Sequence, residues 1–416
     1  MIPETAYCWG IAAFATAGVI LRPFRWPEWI WAVAGAILLV ALGLLPVKAA
    51  AEAVGKGADV YLFLTGMMLL SETARSEGLF DWVAATTVNH ARRSPLRLFV
   101  LVYATGTVVT IFLSNDATAV VLTPAIFAAA KKADTDPLPL LLACALIANA
   151  ASFVLPISNP ANLVLYGGHM PAIGAWLASF ALPSIASIAV TYLMLWLIER
   201  GTIGNRTILD VDRKDLSGGG WATLAGIVAT AALLITMSAL DRPLGLPTAL
   251  AGAATALGVS IRNRRSPLSI VRGLSWGVLP LVAGLFVLVE ALDRTGVTAW
   301  IASLLRRAAT QPAEGAALAG AALAVTSNLV NNLPAGLLAS LAVMQAQLPK
   351  QIIDGLLIGV DLGPNLSVTG SLATILWLQA IRREGEDVSF LRFLKVGIVV
   401  MPTALAAALG ARLLLG

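Results

Sequence analysis

The sequence predicts an all-α polytopic membrane protein built as two inverted-topology repeats, with about ten transmembrane helices, two re-entrant hairpins and two broken helices. Three observations predict it: an apolar composition, a set of residues that recurs at one offset, and a lopsided distribution of Lys and Arg. The chain is 58% hydrophobic and 12% charged, with a mean hydropathy of +0.84. A soluble domain of this length would need far more charge at its surface, so the solvent is a bilayer. Apolar stretches near residues 7–21, 28–47, 174–198, 221–240 and 391–415 approach or reach the roughly 20 residues that span hydrocarbon. Met1 to Thr5 holds no basic residue, so the first stretch is expected to stay in the membrane and not to be cleaved as a secretory signal.

The same counts exclude several function classes. The two cysteines, Cys8 and Cys144, lie far apart in apolar sequence, which argues against a disulfide framework and a thiolate metal site. His90 and His169 fall in expected loops and receive no ligand role. No metal, cofactor or nucleic-acid partner is expected. The net charge of +5 reports loop asymmetry. There is no Gly-rich phosphate loop of the GxxxxGK[ST] type, so the chain does not hydrolyse ATP by that route and is not read as an enzyme.

Gly66, Glu72, Gly78, Trp82 and Ala84 recur at one constant offset as Gly284, Glu290, Gly296, Trp300 and Ala302. Downstream, Ser114-Asn115 is echoed by Ser327-Asn328, and the segment around Pro156 and Asn159 by that around Pro364 and Asn365. Each half reads as three spanning helices, a segment that dips in and turns back at Ser-Asn, a broken spanning helix and a final span. Five crossings per half turn the second copy upside down, the inverted-repeat logic of secondary transporters. The divisions are residues 1–199, a linker at 200–220, and residues 221–416. Loop charges agree: Arg22, Arg25, Arg92, Arg93, Arg97, Lys131, Lys132, Arg200, Arg206, Arg213, Lys214, Arg262, Arg264, Arg265, Arg272, Arg382, Arg383, Arg392 and Lys395 collect on one side. That side is expected to be cytoplasmic and both termini external, with the first hairpin entering from the cytoplasm and the second from outside.

Irregular backbone at membrane depth is tolerated only where it is buried in protein or lines a wet cavity. Four such places concentrate Asn, Ser, Thr, Gly and Pro, and their donors and acceptors make Ser114, Asn115, Thr118, Asn159, Asn162, Ser327, Asn328, Asn331, Asn332, Asn365, Thr369 and Ser371 the expected substrate ligands. Intramembrane acids are costly unless paired or hydrated. Glu72 has Arg75 at i+3 and Glu290 has Arg294 at i+4, so local ion pairs account for both. Asp116 and Asp361 have no such neighbour and are the expected proton carriers. None of the four clusters contains Lys, Arg or His, which points to a neutral or cationic solute.

At these residues the chain resembles the arsenical pump membrane proteins of the ion transporter superfamily. The most specific segments are Ile358 to Asn365 continuing through Gly370-Ser371-Leu372-Ala373-Thr374, then Asn331-Asn332-Leu333-Pro334, and Ser114-Asn115-Asp116 with Leu122-Thr123-Pro124. The resemblance implies efflux of arsenite, and usually antimonite, in exchange for protons across a bacterial cytoplasmic (inner) membrane, with an optional arsenite-stimulated ATPase subunit as partner. Where that family carries an Asp-Thr pair at the start of the first broken segment, this chain has Asn149-Ala150. Another reading within the superfamily is a sodium/proton antiporter. A third, an intramembrane aspartyl protease, lacks the Gly-x-Gly-Asp pattern, since the chain reads Gly359-Val360-Asp361-Leu362-Gly363.

Overall fold

The computed structural model describes residues 4–166, 170–203, 208–212 and 215–415; His169, Arg206, Arg213 and Lys214 lie outside them. The first half runs through α1 (Glu4–Leu21), α2 (Glu28–Ala41), α3 (Val47–Lys56) and α4 (Ala58–Ser76). It continues with α5 (Leu79–His90), α6 (Pro95–Phe112), a return limb of α7 (Asn115–Ala117), a π-helical turn and α8 (Thr123–Lys132), then α9 (Leu138–Ala150), α10 (Pro160–Tyr166) and α11 (Ile173–Ile203). The second half repeats the order: α12 (Gly218–Ala239), α13 (Gly245–Arg262), α14 (Leu268–Gly273), α15 (Val278–Arg294), α16 (Val297–Ala308), α17 (Pro312–Val330), α18 (Asn332–Ala346), α19 (Lys350–Leu362), α20 (Leu372–Arg383) and α21 (Phe390–Leu413).

The recurring glycines have structural jobs. Gly66 on α4 lies against the Thr248 backbone of α13, and Gly284 on α15 lies against the Ala32 backbone of α2. Each half therefore lends a helix to the other at backbone contact distance, the close approach that small residues permit in membranes. Gly78 and Gly296 adopt φ of 71° and 86° at the starts of α5 and α16, a conformation that side chains other than Gly rarely take. A Cβ at Gly66 would overlap the Thr248 carbonyl, whereas one at Gly10 would meet open space. Gly66→Val is therefore expected to lower the melting temperature of the purified protein, at the upper end of the ~1–3 kcal/mol typical of overpacking. Gly10→Val should leave it unchanged.

Two groups of helices result. The first is built around the α4–α13 and α2–α15 pairs, with α1 and α12 packed alongside; the second gathers the hairpins, the broken helices and the final spans α11 and α21. Length and composition alone single out α1, α6, α11, α12, α17 and α21 as spans among the described residues. Of these, α6 and α17 turn back instead of crossing. Ile208 N–H donates to the Arg93 carbonyl and Leu209 N–H to the Ala133 carbonyl, which sets the beginning of α6 and the end of α8 at one level. At the other hairpin, Arg306 in the last turn of α16 reaches the Gln345 carbonyl at the end of α18. The crossings are then α1, α2, α4, α9 with α10, and α11, and their counterparts α12, α13, α15, α19 with α20, and α21.

The second hairpin does not turn at its Ser-Asn motif. Ser327 and Asn328 lie within the last turns of α17, their side chains returning to the Leu323 and Ala324 carbonyls at i−4. Side chains bonded back to their own helix are not available to cap a following one. The turn comes at Asn331, with φ 76°, whose side chain accepts from Leu333 N–H and caps α18. Asn331-Asn332 is therefore the counterpart of Ser114-Asn115, where the Ser114 hydroxyl accepts from Ala117 N–H. The breaks are also matched by their caps and not by their prolines. The Asn159 side chain accepts from Ala161 N–H at the start of α10, and Ser371 accepts from Thr374 N–H at the start of α20.

Candidate functional site

The two hairpin tips and the two capping residues converge. A small cavity, about 10 Å³, is lined by Asn115 and Asp116 from the first tip, Asn332 and Leu333 from the second, and Asn159 and Ser371 from the breaks. Leu64 of α4 and Val278 of α15 close it from the other helix group. Its polar groups are thus three amides, a hydroxyl and one carboxylate. Leu333 occupies the position of Asp116 in the second repeat, which is why the site carries a single acid at its tips.

Behind this cavity the broken helices are tied across the molecule. Asn159 Nδ2 donates to Asp361 Oδ1 at 2.7 Å, while the other oxygen of this fully buried carboxylate has no hydrogen-bond partner among the described residues. Asn149 Nδ2 donates to Asn365 Oδ1 at 3.0 Å and to Thr374 Oγ1 at 3.2 Å, and the Ser371 hydroxyl donates to Asn149 Oδ1. Asn365 in turn donates to the Leu146 carbonyl. Every one of these groups is buried, where a polar atom without a partner would cost about 1–3 kcal/mol.

A larger cavity, about 480 Å³, leads to the tip of the first hairpin. Ser114 and Asp116 lie at its floor, Phe63, Met67 and Val121 on its walls, and Arg75, Arg383 and Glu384 near its mouth. Asp116 lines both cavities and so stands between them. At the second hairpin, the space beside Asn331 and Leu333 shrinks to about 10 Å³ among Val19, Leu281, Leu285 and Leu372. The vestibule opens on the side where Lys131 pairs with Glu386 and Arg93 with Asp210, the side rich in basic loops.

A protein-family profile described as citrate transporter (CitMHS) matches residues 16–364. The chain belongs to the citrate transporter family. Among curated relatives, an arsenical pump membrane protein of Yersinia enterocolitica is 27% identical over 83% of both chains. That of Escherichia coli K12 is 25% identical over the same share. An uncharacterized transporter of Mycobacterium bovis is 27% identical over 96% of both. In fold, the chain is similar to the crystal structure of the Alcanivorax borkumensis YdaH transporter, with a TM-score of 0.56 at 16% identity, covering 93% of this chain and 96% of that one. This member of the citrate transporter family is a multi-pass secondary transporter of the ion transporter superfamily, and its expected likeness to the arsenical pumps is found.

Within the transporter, the sequence-predicted residues divide by place. Asn115, Asp116, Asn159, Asn332 and Ser371 meet at the central cavity, with Ser114 beside them on the vestibule. Thr118 bonds Thr110 behind the tip, and Asn162 holds the carbonyls of Ser152, Leu155 and Pro156 that the first break leaves free. Asn328 braces the second break through the Gly363 carbonyl and Ser367, and Thr369 bonds the Asn328 carbonyl. Ser327 serves its own hairpin, whereas Asn331 caps α18 and also donates to the Thr369 carbonyl of the second break. Asn149 and Thr374 were not among the predicted ligands; their signal was an amide and a hydroxyl inside the two broken segments.

Both local ion pairs form. Arg75 holds Glu72 in a two-point contact, and Glu290 takes Arg294 and also Lys56. Because Glu72 is already paired at the vestibule wall, Glu72→Gln is expected to retain most transport in vesicles, in contrast to changes at Asp116 or Asp361.

Proposed function

We propose that the transporter exports arsenite, and antimonite with it, from the cytoplasm in exchange for protons. One observation carries the reading. The central cavity presents Asn115, Asn159, Asn332 and Ser371 around the carboxylate of Asp116, with no Lys, Arg or His among the described residues of its lining. Arsenite is an uncharged trihydroxide near neutral pH, and a ring of amides and hydroxyls offers each of its oxygens a donor or an acceptor. A citrate-like tricarboxylate would bring several charges to a site with nothing to offset them, at a cost of several kcal/mol. The likeness to the arsenical pumps over 83% of the chain supports the same solute. With the basic loops cytoplasmic and both termini external, the vestibule faces the compartment from which the solute is taken.

Asp116 and Asp361 carry the protons in this reading. The halves 1–199 and 221–416 each contribute one of them, from different elements. A separate ATPase subunit would dock on the cytoplasmic side without changing the site. The competing reading, a sodium/proton antiporter, is favoured by the same Asn and Ser oxygens, which also suit Na⁺.

The test is arsenite-driven pH change in proteoliposomes of the purified chain. Alkalinisation or acidification that follows the arsenite gradient in sodium-free buffer supports the proposal; movement of protons only with sodium, and none with arsenite, overturns it. Cys8 and Cys144 are buried on α1 and α9. The double Cys8→Ser, Cys144→Ser variant is expected to bind and move arsenite as the parent does, whereas loss of binding would indicate capture by thiols.

A further inference from the structure

Two of the bonds that cross between the repeats are related by the repeat symmetry. Helices α9 and α19 are each 13 residues long, and Asn149 and Asp361 are the next-to-last residue of each. Asn159 caps α10 and bonds Asp361 of the other repeat. Ser371 caps α20 and bonds Asn149 of the other repeat. The cap of each second half-helix thus grips the same position of the opposite first half-helix. One gripped position is an acid and the other its isosteric amide.

The surroundings of Asn149 suit a carboxyl group in either protonation state. The hydroxyls of Ser371 and Thr374 can donate to a carboxylate, and Asn365 Oδ1, which accepts from the Asn149 amide, can accept from a carboxylic acid. Around Asp361, the Asn159 amide serves one oxygen and the second is left for a proton. Both positions are fully buried. The ionisable groups on the elements packed against them are Asp116 at the first tip, Tyr103 with Tyr192 beside it, Cys144, and the set in which Asp354 takes Tyr166 and Arg412. The remaining Lys, Arg and acidic side chains of those helices lie toward their ends.

We infer that position 149 is a second acid seat, equivalent to position 361 through the crossed bonds, and that moving the acid from 361 to 149 preserves proton coupling. The inference rests on the reading of Asp361 as a proton carrier. Asn149 is in this view a positioning residue that keeps the second seat neutral, so that the repeats contribute one titrating crossed bond and one permanent one.

The experiment compares the full chain with Asp361→Asn, Asn149→Asp and the double exchange Asn149→Asp with Asp361→Asn. Two readouts are taken: proton uptake by the purified protein in detergent, which needs no solute, and arsenite-driven proton flux in proteoliposomes. The expected result is one proton fewer taken up and loss of the flux in Asp361→Asn, and recovery of both in the double exchange. A folded double exchange as deficient as Asp361→Asn overturns the equivalence. If the double exchange does not fold, Asn149→Asp alone decides: it should bind an additional proton and raise the proton-to-arsenite ratio at flux reversal, and an unchanged ratio overturns the proposal. Undiminished proton uptake in Asp361→Asn would remove the proton-carrier reading itself, and the second seat with it, a result distinct from a failed exchange.

Discussion

Asp361→Asn and Asp116→Asn are expected to abolish proton-coupled arsenite movement while leaving the chain folded in the membrane. The substitution at 361 is isosteric, and an amide oxygen there can still accept from Asn159, so the crossed bond survives without a group that ionises. Asp116 lines both cavities, so its amide variant keeps the shape of the passage between them and loses only the charge. Everted membrane vesicles loaded with a pH-sensitive dye give the measurement. Wild-type arsenite transport by either variant, at equal amounts of protein in the membrane, would sink the assignment.

The largest effect on stability is expected at Asp354. Its carboxylate is fully buried, accepts from Arg412 Nε at 2.7 Å and from the Tyr166 hydroxyl at 3.2 Å, and has Lys350 at 3.9 Å. These contacts join α10 of the first half to α19 and α21 of the second. Removing one partner of a buried ion pair costs about 3–5 kcal/mol, because the remaining charge loses its compensation. Asp354→Ala should therefore lower the melting temperature of the detergent-solubilised protein sharply. Asp354→Leu combined with Arg412→Leu should lose less, since replacing a buried pair by apolar groups of similar size is often close to neutral. A double variant as unstable as the single one would contradict this account.

Asp354 also shows where sequence reading falls short. It stands at i+4 from Lys350, a spacing that reads as an ordinary helical pair. The partner that fixes its role, Arg412, is 58 residues further along the chain. In contrast, Glu72 and Glu290 find their arginines locally, so both pairs were legible from spacing alone.

The motifs behaved in the same way. Ser327-Asn328 looks like Ser114-Asn115 as a word, but only the first lies at a turn. Whether a Ser-Asn pair ends a helix depends on whether its side chains cap the next segment or bond back to their own carbonyls, and the two choices use the same atoms. At Ser114 the hydroxyl receives Ala117 N–H; at Ser327 it turns back to Leu323.

The sequence by itself determined the solvent, the duplication, the places where backbone breaks at membrane depth, and the absence of basic residues from those places. Each follows from composition, period or residue type, which are local properties and survive without coordinates. Only the tertiary structure decided that Asn331-Asn332 forms the second tip, that Asn159 and Ser371 are the matching caps, and that these caps reach across to Asp361 and Asn149. Those contacts join residues about 200 positions apart, and their pairing is set by how two inverted helix bundles pack, which no spacing along the chain encodes.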